Sequence, residues 1–566
     1  MSDYPWLKNY DEGVPRTLEP YPDITLLDVI VDNARQRPDA EMIWFKGSTI
    51  SYAQFAKYVD TLAKALAGAG VKKGDCVALL MPNCPQIIIS QFAVWKAGGI
   101  AVQVNPLYSD EELIYTLKKC GAKIAIVLTT FYNQVKKVQP QTNLKTVIAT
   151  SIKEYLSPFM RTMFTLLMEK KQGHRIELQQ GDLWLRDIMK KYAGAPLPDV
   201  KLSQKDTALI LFSGGTTGAP KGVMHSHGGI VMNAMQLRAW CSPILKGWVD
   251  NALLLMPIFH GAGNWVLIAT IVNPPVPIVL IPNPRDIKDL LATINKTKPS
   301  FFPGVATLFI GLMNHPDVKA GKVNFKPVKM CIAAAAPLLA ETKRSWEALT
   351  GGKIVDAYGL TEAGILSMGP MIGPWKEGAS GMPTVDVVMK VVDIDTGKTE
   401  LKLGETGEII VKAPHMMQGY WEQPDATAEM LRDGWLYTGD IGHMDDDGYV
   451  FITSRKKELI KPSGHQVYPG EIEEVIMQYP AVLEVSVAGV RDAVQGEAVK
   501  AWIVLKPDSK CTEQEIQAFC KERLTPYKVP KHVEFREALP KTMVGKVLRR
   551  VLQEEELARE KEAKSK

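Results

Sequence analysis

The chain has 566 residues, 46% of them hydrophobic and 23% charged, with a formal net charge of +5. That length predicts two or more domains of a soluble globular protein. A charge so small for the length argues against nucleic acid as the main partner.

The seven cysteines, at 76, 84, 120, 241, 331, 511 and 520, are scattered and include no Cys-x-x-Cys pair. They predict reduced cytosolic thiols rather than zinc ligands or a disulfide framework. The start, Met-Ser-Asp-Tyr-Pro-Trp, has no basic residue and no apolar core, so no secretory signal is expected and the protein reads as cytoplasmic. The most apolar stretch, 253–281, is interrupted by Pro257, His260, Asn264 and Asn273 and by further prolines. A bilayer span needs roughly 20 unbroken apolar residues, so no transmembrane helix is expected.

Taken in chain order, apolar periodicity predicts a helix over 52–69 and a buried strand over 76–81. A helix over 86–96, a strand over 100–104, a helix over 110–119 and a strand over 123–128 follow. The apolar runs 276–281, 300–303 and 330–334 continue the alternation. Strand and helix alternating in this way predict an α/β fold with mainly parallel sheets. Segment 151–172 stands apart. Ser157 and Pro158 suit an N-cap and first helical position, and Phe159, Met160, Met163, Phe164 and Leu167 share one helical face. Lys153, Arg161, Lys170 and Lys171 flank or oppose that face. It reads either as an insertion packed on its own domain or as an interfacial helix in peripheral contact with a membrane.

The C-terminal part is smaller in scale. A helix over 470–478, strands over 483–490 and 498–505, a helix opened by the capping box Thr512-x-x-Glu515, and a short strand over 533–536 make a small α+β domain. Its boundary falls after the turn-rich Asp445-Asp-Asp-Gly448. The predicted domains are 1–453 and 454–566.

The most informative segment is Ser213-Gly-Gly-Thr-Thr-Gly-Ala-Pro-Lys-Gly222, directly after the apolar run 208–212. Glycines let backbone approach a ligand closely, and N–H groups, hydroxyls and Lys221 can surround phosphate oxygens. The plainer reading is a polar hairpin, since Gly and Thr are common in turns. The spacing is not that of a Walker A loop, and no strand–helix dinucleotide fingerprint is present.

Five more segments complete a constellation. They are Met256-Pro-Ile-Phe-His260, Tyr358-Gly-Leu-Thr-Glu362, Tyr437-Thr-Gly-Asp440, Arg455-Lys-Lys-Glu-Leu-Ile-Lys-Pro-Ser-Gly464 and Pro540-Lys-Thr-Met-Val-Gly-Lys546. In this order they resemble the adenylate-forming acyl-CoA synthetases over nearly the whole chain. The N-terminal region, through Gln103-Val-Asn-Pro-Leu-Tyr108, is most similar to the bacterial-type long-chain fatty acid–CoA ligases. The resemblance implies a large N-terminal domain of α/β layers with a smaller barrel-like part, and a mobile α+β C-terminal domain turning about a hinge at Lys457. It implies ATP and CoA as substrates, Mg²⁺, a carboxylic acid, and release of AMP and pyrophosphate.

The resemblance also implies roles by position. Ser213, Gly214, Gly215, Thr216, Thr217, Gly218 and Lys221 would hold the β- and γ-phosphates. Thr217 and Glu362 would lie by the Mg²⁺ or the α-phosphate. Tyr358 would pack on adenine within Tyr358, Gly359 and Thr361, with Asp356 near the amino group. Asp440 and Arg455 would contact the ribose. Lys546 would bridge the substrate carboxylate and the α-phosphate, although by composition alone it reads as a solvated lysine in a basic tail. His260 would sit between acyl pocket and thiol channel, although a lone histidine is equally a core residue. Gly261, Trp265, Ala334, Ala335 and Gly364 are candidates for the acyl pocket. Lys461, Ser463 and Gly464 are candidates for the CoA path. His225 and His227 read as structural. The chain departs from the usual family pattern in Ser-Gly-Gly at 213, in the alanine run 333–336 and in Asp356-Ala357.

The chemistry needs such residues. A carboxylate acylates poorly because oxide leaves poorly, whereas an acyl-adenylate offers AMP as leaving group. Two anions must meet to form it, so the site must supply positive charge and aligned donors. The leading expectation is a fatty acid–CoA ligase for long or medium chains. The alternatives are a CoA ligase for an aryl or alicyclic acid, an acyl-AMP ligase loading a carrier protein, or a non-catalytic nucleotide-binding interaction protein.

Overall fold

Every residue of the strand Cys76–Leu80 is buried, as is every residue from Pro85 to Trp95 of the helix that follows. A strand covered on both faces leaves no room for an alternating pattern and appears in the sequence as a continuous apolar run, whereas the enclosed helix also buries Gln86, Ser90 and Gln91. In the computed structural model, which describes residues 4–213, 220–334, 338, 340–492, 494–541 and 547–565, these elements lie in the first of two compact units. That unit comprises the described residues through Val388 together with Lys412–Gly434. The second comprises Met389–Val411 and Trp435–Lys566.

The first unit contains two large sheets. One runs, in spatial order, Gly419–Tyr420, Lys221–Ser226, Thr207–Ser213, Ile100–Gln103, Cys76–Leu80, Ile124–Leu128, Thr146–Thr150 and Leu183–Trp184. Its ladders are parallel from Thr207–Ser213 onward and antiparallel on the other side. The second sheet places Lys353–Leu360, Met330–Ala334, Phe301–Gly304, Ala252–Leu254, Ile278–Leu280 and Glu41–Phe45 side by side in parallel. Antiparallel strands close both of its edges. The mainly parallel α/β architecture expected from the sequence is therefore present. Behind the second sheet, Trp346 is fully buried among Phe302, Phe309 and Phe325, with ring centroids 5.8, 4.9 and 5.3 Å away. Truncating such a residue costs about 3–5 kcal/mol.

The helix Pro158–Leu167 forms as its cap predicts, with the Ser157 hydroxyl accepting from the Met160 N–H. None of its residues is buried. Phe164 packs on the His174 ring at 5.3 Å, while Phe159, Leu166 and Leu167 are 71%, 75% and 61% exposed. Among the described residues no helix is long and apolar enough to cross a membrane.

In the second unit, Gly407–Lys412, Trp435–Met444 and Val450–Arg455 form an antiparallel sheet, in the part expected to be barrel-like. The α+β portion follows. Val482–Asp492 and Gly496–Leu505 make a long antiparallel hairpin, His532–Phe535 joins it in parallel, and the helices Pro469–Met477 and Glu513–Lys521 pack with it. The capping box is formed, with the Thr512 N–H donating to Glu515 at 2.7 Å and the Glu515 N–H to Thr512 at 3.3 Å. Compactness separates the chain at 434/435, because Val450–Arg455 cannot leave Trp435–Met444 without breaking their ladder. The division expected at 453/454 is placed for a hinge at Lys457, a different criterion.

Candidate active site

Ser213 and Lys221 are partners across the antiparallel ladder. The Ser213 hydroxyl donates to the Lys221 carbonyl at 3.4 Å. The Gly/Thr-rich segment thus joins two paired strands, and the hairpin and phosphate-loop readings are compatible. The Lys221 ammonium lies 4.8 Å from the centroid of the Tyr420 ring, a cation–π distance. The Tyr420 hydroxyl donates to Glu362 Oε1 at 2.9 Å. Burial, and then the Glu362 charge, hold the Tyr420 phenol above its ordinary pKa, so it remains a donor.

Glu362 sits at the tip of the hairpin formed by Lys353–Leu360 and Gly364–Met368 and is buried. Its carbonyl accepts from the Met417 N–H at 2.8 Å. Two short segments far apart in sequence, 361–364 and 415–421, are thereby joined. Asp356 lies within the first strand of that hairpin. Its oxygens accept from the Leu338 N–H at 3.2 Å and from Trp375 Nε1 at 3.4 Å. Burial pushes its carboxyl up to about 6, against the pull of those donors. Tyr358, paired with Ser367, is half-buried. His225 and His415 are buried, and desolvation pushes them down to about 3 and about 4. They are neutral near pH 7. His227 is likewise pushed down to about 4.

His260 caps the helix Gly261–Ile271, with its Nδ1 accepting from the Ala262 N–H at 3.3 Å. In the neutral ring this leaves the proton on Nε2. A side chain added at Gly261 would meet Thr361 Oγ1 at 3.5 Å, so the His260 turn abuts the residue before Glu362. At Gly263 a Cβ would stand 2.1 Å from the Pro257 carbonyl oxygen, and only glycine permits this close return of the chain.

A narrow apolar cavity of about 50 Å³ lies along this helix. Ala262, Val266, Ala269 and Thr270 face it from the helix, Ala334 from a strand and Cys241 from a second helix. Gly261 and Trp265, also proposed for an acyl pocket, are not on its wall. Trp265 lies on the neighbouring helical stripe, edge-on to His225 at 4.6 Å. Gly364 is not on the wall either. It turns the Glu362 hairpin at φ +63°, and a Cβ there would strike Asn233 at 2.8 Å. Ile365, the next residue, does face the cavity.

In the second unit, Asp440 is buried and paired with Arg455, Nε to Oδ1 at 2.9 Å. The two face each other across the ladder. Thr438-Gly439-Asp440 is not a free turn. It belongs to the strand Trp435–Met444, whose register against Gly407–Lys412 shifts between Glu408 and Ile410. Gly439 takes φ +68°, and the Thr438 hydroxyl donates to the Ile409 carbonyl at 2.7 Å. Such a bulge re-aims the side chain beside it, here Asp440. Lys457 is exposed in the short turn Lys456–Glu458, whose Lys456 pairs with Glu408 at 2.8 Å. Lys461 and Ser463 are exposed around the turn Pro462–Gly464, with Ser463 at φ +50°.

Gly214, Gly215, Thr216, Thr217, Gly218, Ala335 and Lys546 lie outside the described residues. Sequence reasoning missed Tyr420, His415 and Trp375. The signal for the first was the dipeptide Gly419-Tyr420 before Trp421, too short to be recognised as a strand.

A family model described as AMP-binding enzyme matches residues 30–421, and one described as AMP-binding enzyme C-terminal domain matches 471–546. The chain belongs to the AMP-binding enzymes. It is 38% identical over 559 residues to a long-chain-fatty-acid–CoA ligase of Bacillus subtilis, covering 98% of this chain and 99% of the relative. It is 36% identical over 562 residues to a protein of the same name from Haemophilus influenzae, covering 98% and 99%. Among solved structures, ATP-bound MatB of Rhodopseudomonas palustris superposes with a TM-score of 0.81 at 28% identity, covering 94% of this chain and 99% of that one.

Proposed function

We propose that the protein ligates a long- or medium-chain fatty acid to CoA in two half-reactions. A carboxylate oxygen attacks the α-phosphorus of ATP, the bond to pyrophosphate breaks, and an acyl-adenylate forms. The CoA sulfur then attacks the acyl carbon and AMP leaves. The observation that carries the reading is the position of the apolar cavity. It runs along the helix that His260 caps and whose first residue abuts Thr361, beside Glu362. In this reading the fatty chain and the nucleotide phosphate would lie in adjoining places. The names of the full-length relatives support the same substrate class.

In this reading Ser213, the loop after it and Lys221 hold the β- and γ-phosphates. Asp440 and Arg455 take the ribose, and Tyr358 and Asp356 take the adenine. Lys546 neutralises the approaching anions, and His260 positions the acyl carbonyl. The Glu362 carboxylate and the Thr217 hydroxyl are hard oxygen donors of the kind Mg²⁺ takes. That ion would offset phosphate charge. A CoA thiol with a pKa of roughly 8.5 supplies thiolate without a dedicated base. The domain 454–566 turns about Lys457 between the half-reactions, with Lys461, Ser463 and Gly464 along the thiol path.

AMP formation is expected only when ATP and a fatty acid are both present, and thioester only when CoA is added. A panel of acids across chain lengths and aromatic acids measures this. Preference for aromatic acids would replace the substrate assignment, and AMP release with transfer only to a carrier protein would replace the acceptor.

We further propose that the helix Pro158–Leu167 rests on a lipid surface. Its exposed Phe159, Leu166 and Leu167 provide the apolar face, and exposed Lys170, Lys171 and Arg175 the basic rim. Replacing Phe159, Leu166 and Leu167 by serine is expected to abolish co-sedimentation with vesicles containing anionic lipid and leave turnover of a soluble acid intact. Unchanged sedimentation would overturn this.

A further inference from the structure

Tyr420 is buried on the strand Gly419–Tyr420, which pairs with Lys221–Ser226 at Val223. Its backbone N–H donates to Thr427 Oγ1 at 2.9 Å. There the side chain meets two charged groups at once. Its hydroxyl donates to Glu362 Oε1 at 2.9 Å and its ring face carries the Lys221 ammonium at 4.8 Å. Lys221 leaves the Gly/Thr-rich loop, whereas Glu362 sits at a hairpin tip of the other large sheet.

We propose that Tyr420 is a positioning residue that sets the Glu362 carboxylate in register with the phosphate loop. The inference rests on the reading of Glu362 as a ligand of the nucleotide-bound cation. A carboxylate on a hairpin tip has several rotamers, and the phenol restricts them by occupying Oε1. Oε2 would then remain for the cation. The same ring holds the Lys221 ammonium against its face, so the cationic and anionic partners of the triphosphate share one rigid plate. Segment 415–421 thereby couples the two sheets at the site, through the Met417 N–H on the Glu362 carbonyl and through Tyr420 on its carboxylate.

Tyr420→Phe keeps the ring and removes the hydroxyl, Tyr420→Leu removes both, and Thr427→Val loosens the same strand without touching Glu362. Mg²⁺-dependent ATP binding is measured by calorimetry, and adenylation by ATP–pyrophosphate exchange. Tyr420→Phe is expected to weaken the Mg²⁺-dependent part of ATP binding about tenfold or more, the scale of a hydrogen bond to a charged group, with metal-free ATP binding unchanged. It is expected to lower the exchange rate with the KM for the acid unchanged. Tyr420→Leu is expected to weaken metal-free ATP binding as well, and Thr427→Val to change neither. Glu362→Gln separates the failures. If it lacks the Mg²⁺ effect, the reading of Glu362 falls. If it shows the effect while Tyr420→Phe does not, or if Thr427→Val matches Tyr420→Phe, the positioning role falls.

Discussion

Replacing Lys546 with alanine is expected to lower ATP–pyrophosphate exchange by about a thousandfold, the upper scale for removing one preorganised charge donor from a transition state. Conversion of supplied acyl-adenylate and CoA to thioester is expected to continue, because the proposed charge is needed only where carboxylate and α-phosphate meet. The described neighbours of Lys546 sharpen this expectation. Lys541 is paired with Glu484, Arg549 with Glu458 and Glu473, and Arg550 with Glu554. Each neighbouring cation therefore already has a carboxylate in the second unit. A bridge between Lys541 and Val547, with the Leu548 N–H donating to the Pro540 carbonyl at 2.8 Å, closes the base of the segment that carries Lys546. Arg549 also ties this base to Glu458, next to Lys457. Arg550→Ala is the control. Its pair is exposed and worth little, so both half-reactions should be unaffected. Near-normal pyrophosphate exchange by Lys546→Ala would return the residue to a solvated basic tail.

Tryptophan introduced along the cavity is expected to cut the accepted chain length in steps. Ala262 and Ala269 face the cavity from one helical stripe, about 10 Å apart along the axis at 1.5 Å per residue. Ala262 is next to His260, the proposed carboxylate end, and Ala269 is the more distant. Ala269→Trp should reduce AMP formation with long-chain acids about a hundredfold while shorter acids are still used, since several methylenes lose their place. Ala262→Trp should retain only the shortest. AMP formation across a series of saturated acids measures both. Equal loss at every chain length in both variants would mean that the cavity does not take the acyl chain.

Which stripe of that helix faces the cavity was not legible in the sequence. Gly261–Ile271 is apolar on nearly every side, so its periodicity points in no direction. Trp265 therefore read as a wall residue as readily as Val266. By contrast Cys76–Leu80 and Ile124–Leu128 were recognisable, because a central parallel strand must be apolar at every position. The Thr512 capping box was legible because its chemistry is local. Asp440 could be listed from its motif, but the bulge that aims it depends on a partner strand some thirty residues earlier. Tyr420 was beyond reach for the same reason. Its strand has two residues, and its partners, Lys221 and Glu362, lie about 200 and 60 positions away.

An acyl-adenylate reacts with thiols, and in the proposed reaction its fatty chain shares a cavity with one of the enzyme's own. Cys241 is buried and faces the apolar cavity. Burial pushes its thiol up to about 12, well above the ordinary cysteine value of roughly 8.5. Near neutral pH it carries almost no thiolate, which is the nucleophilic form. CoA, arriving from water, keeps its ordinary acidity. If this cavity takes the fatty chain as proposed, burial also keeps the cysteine on its wall in the unreactive thiol form.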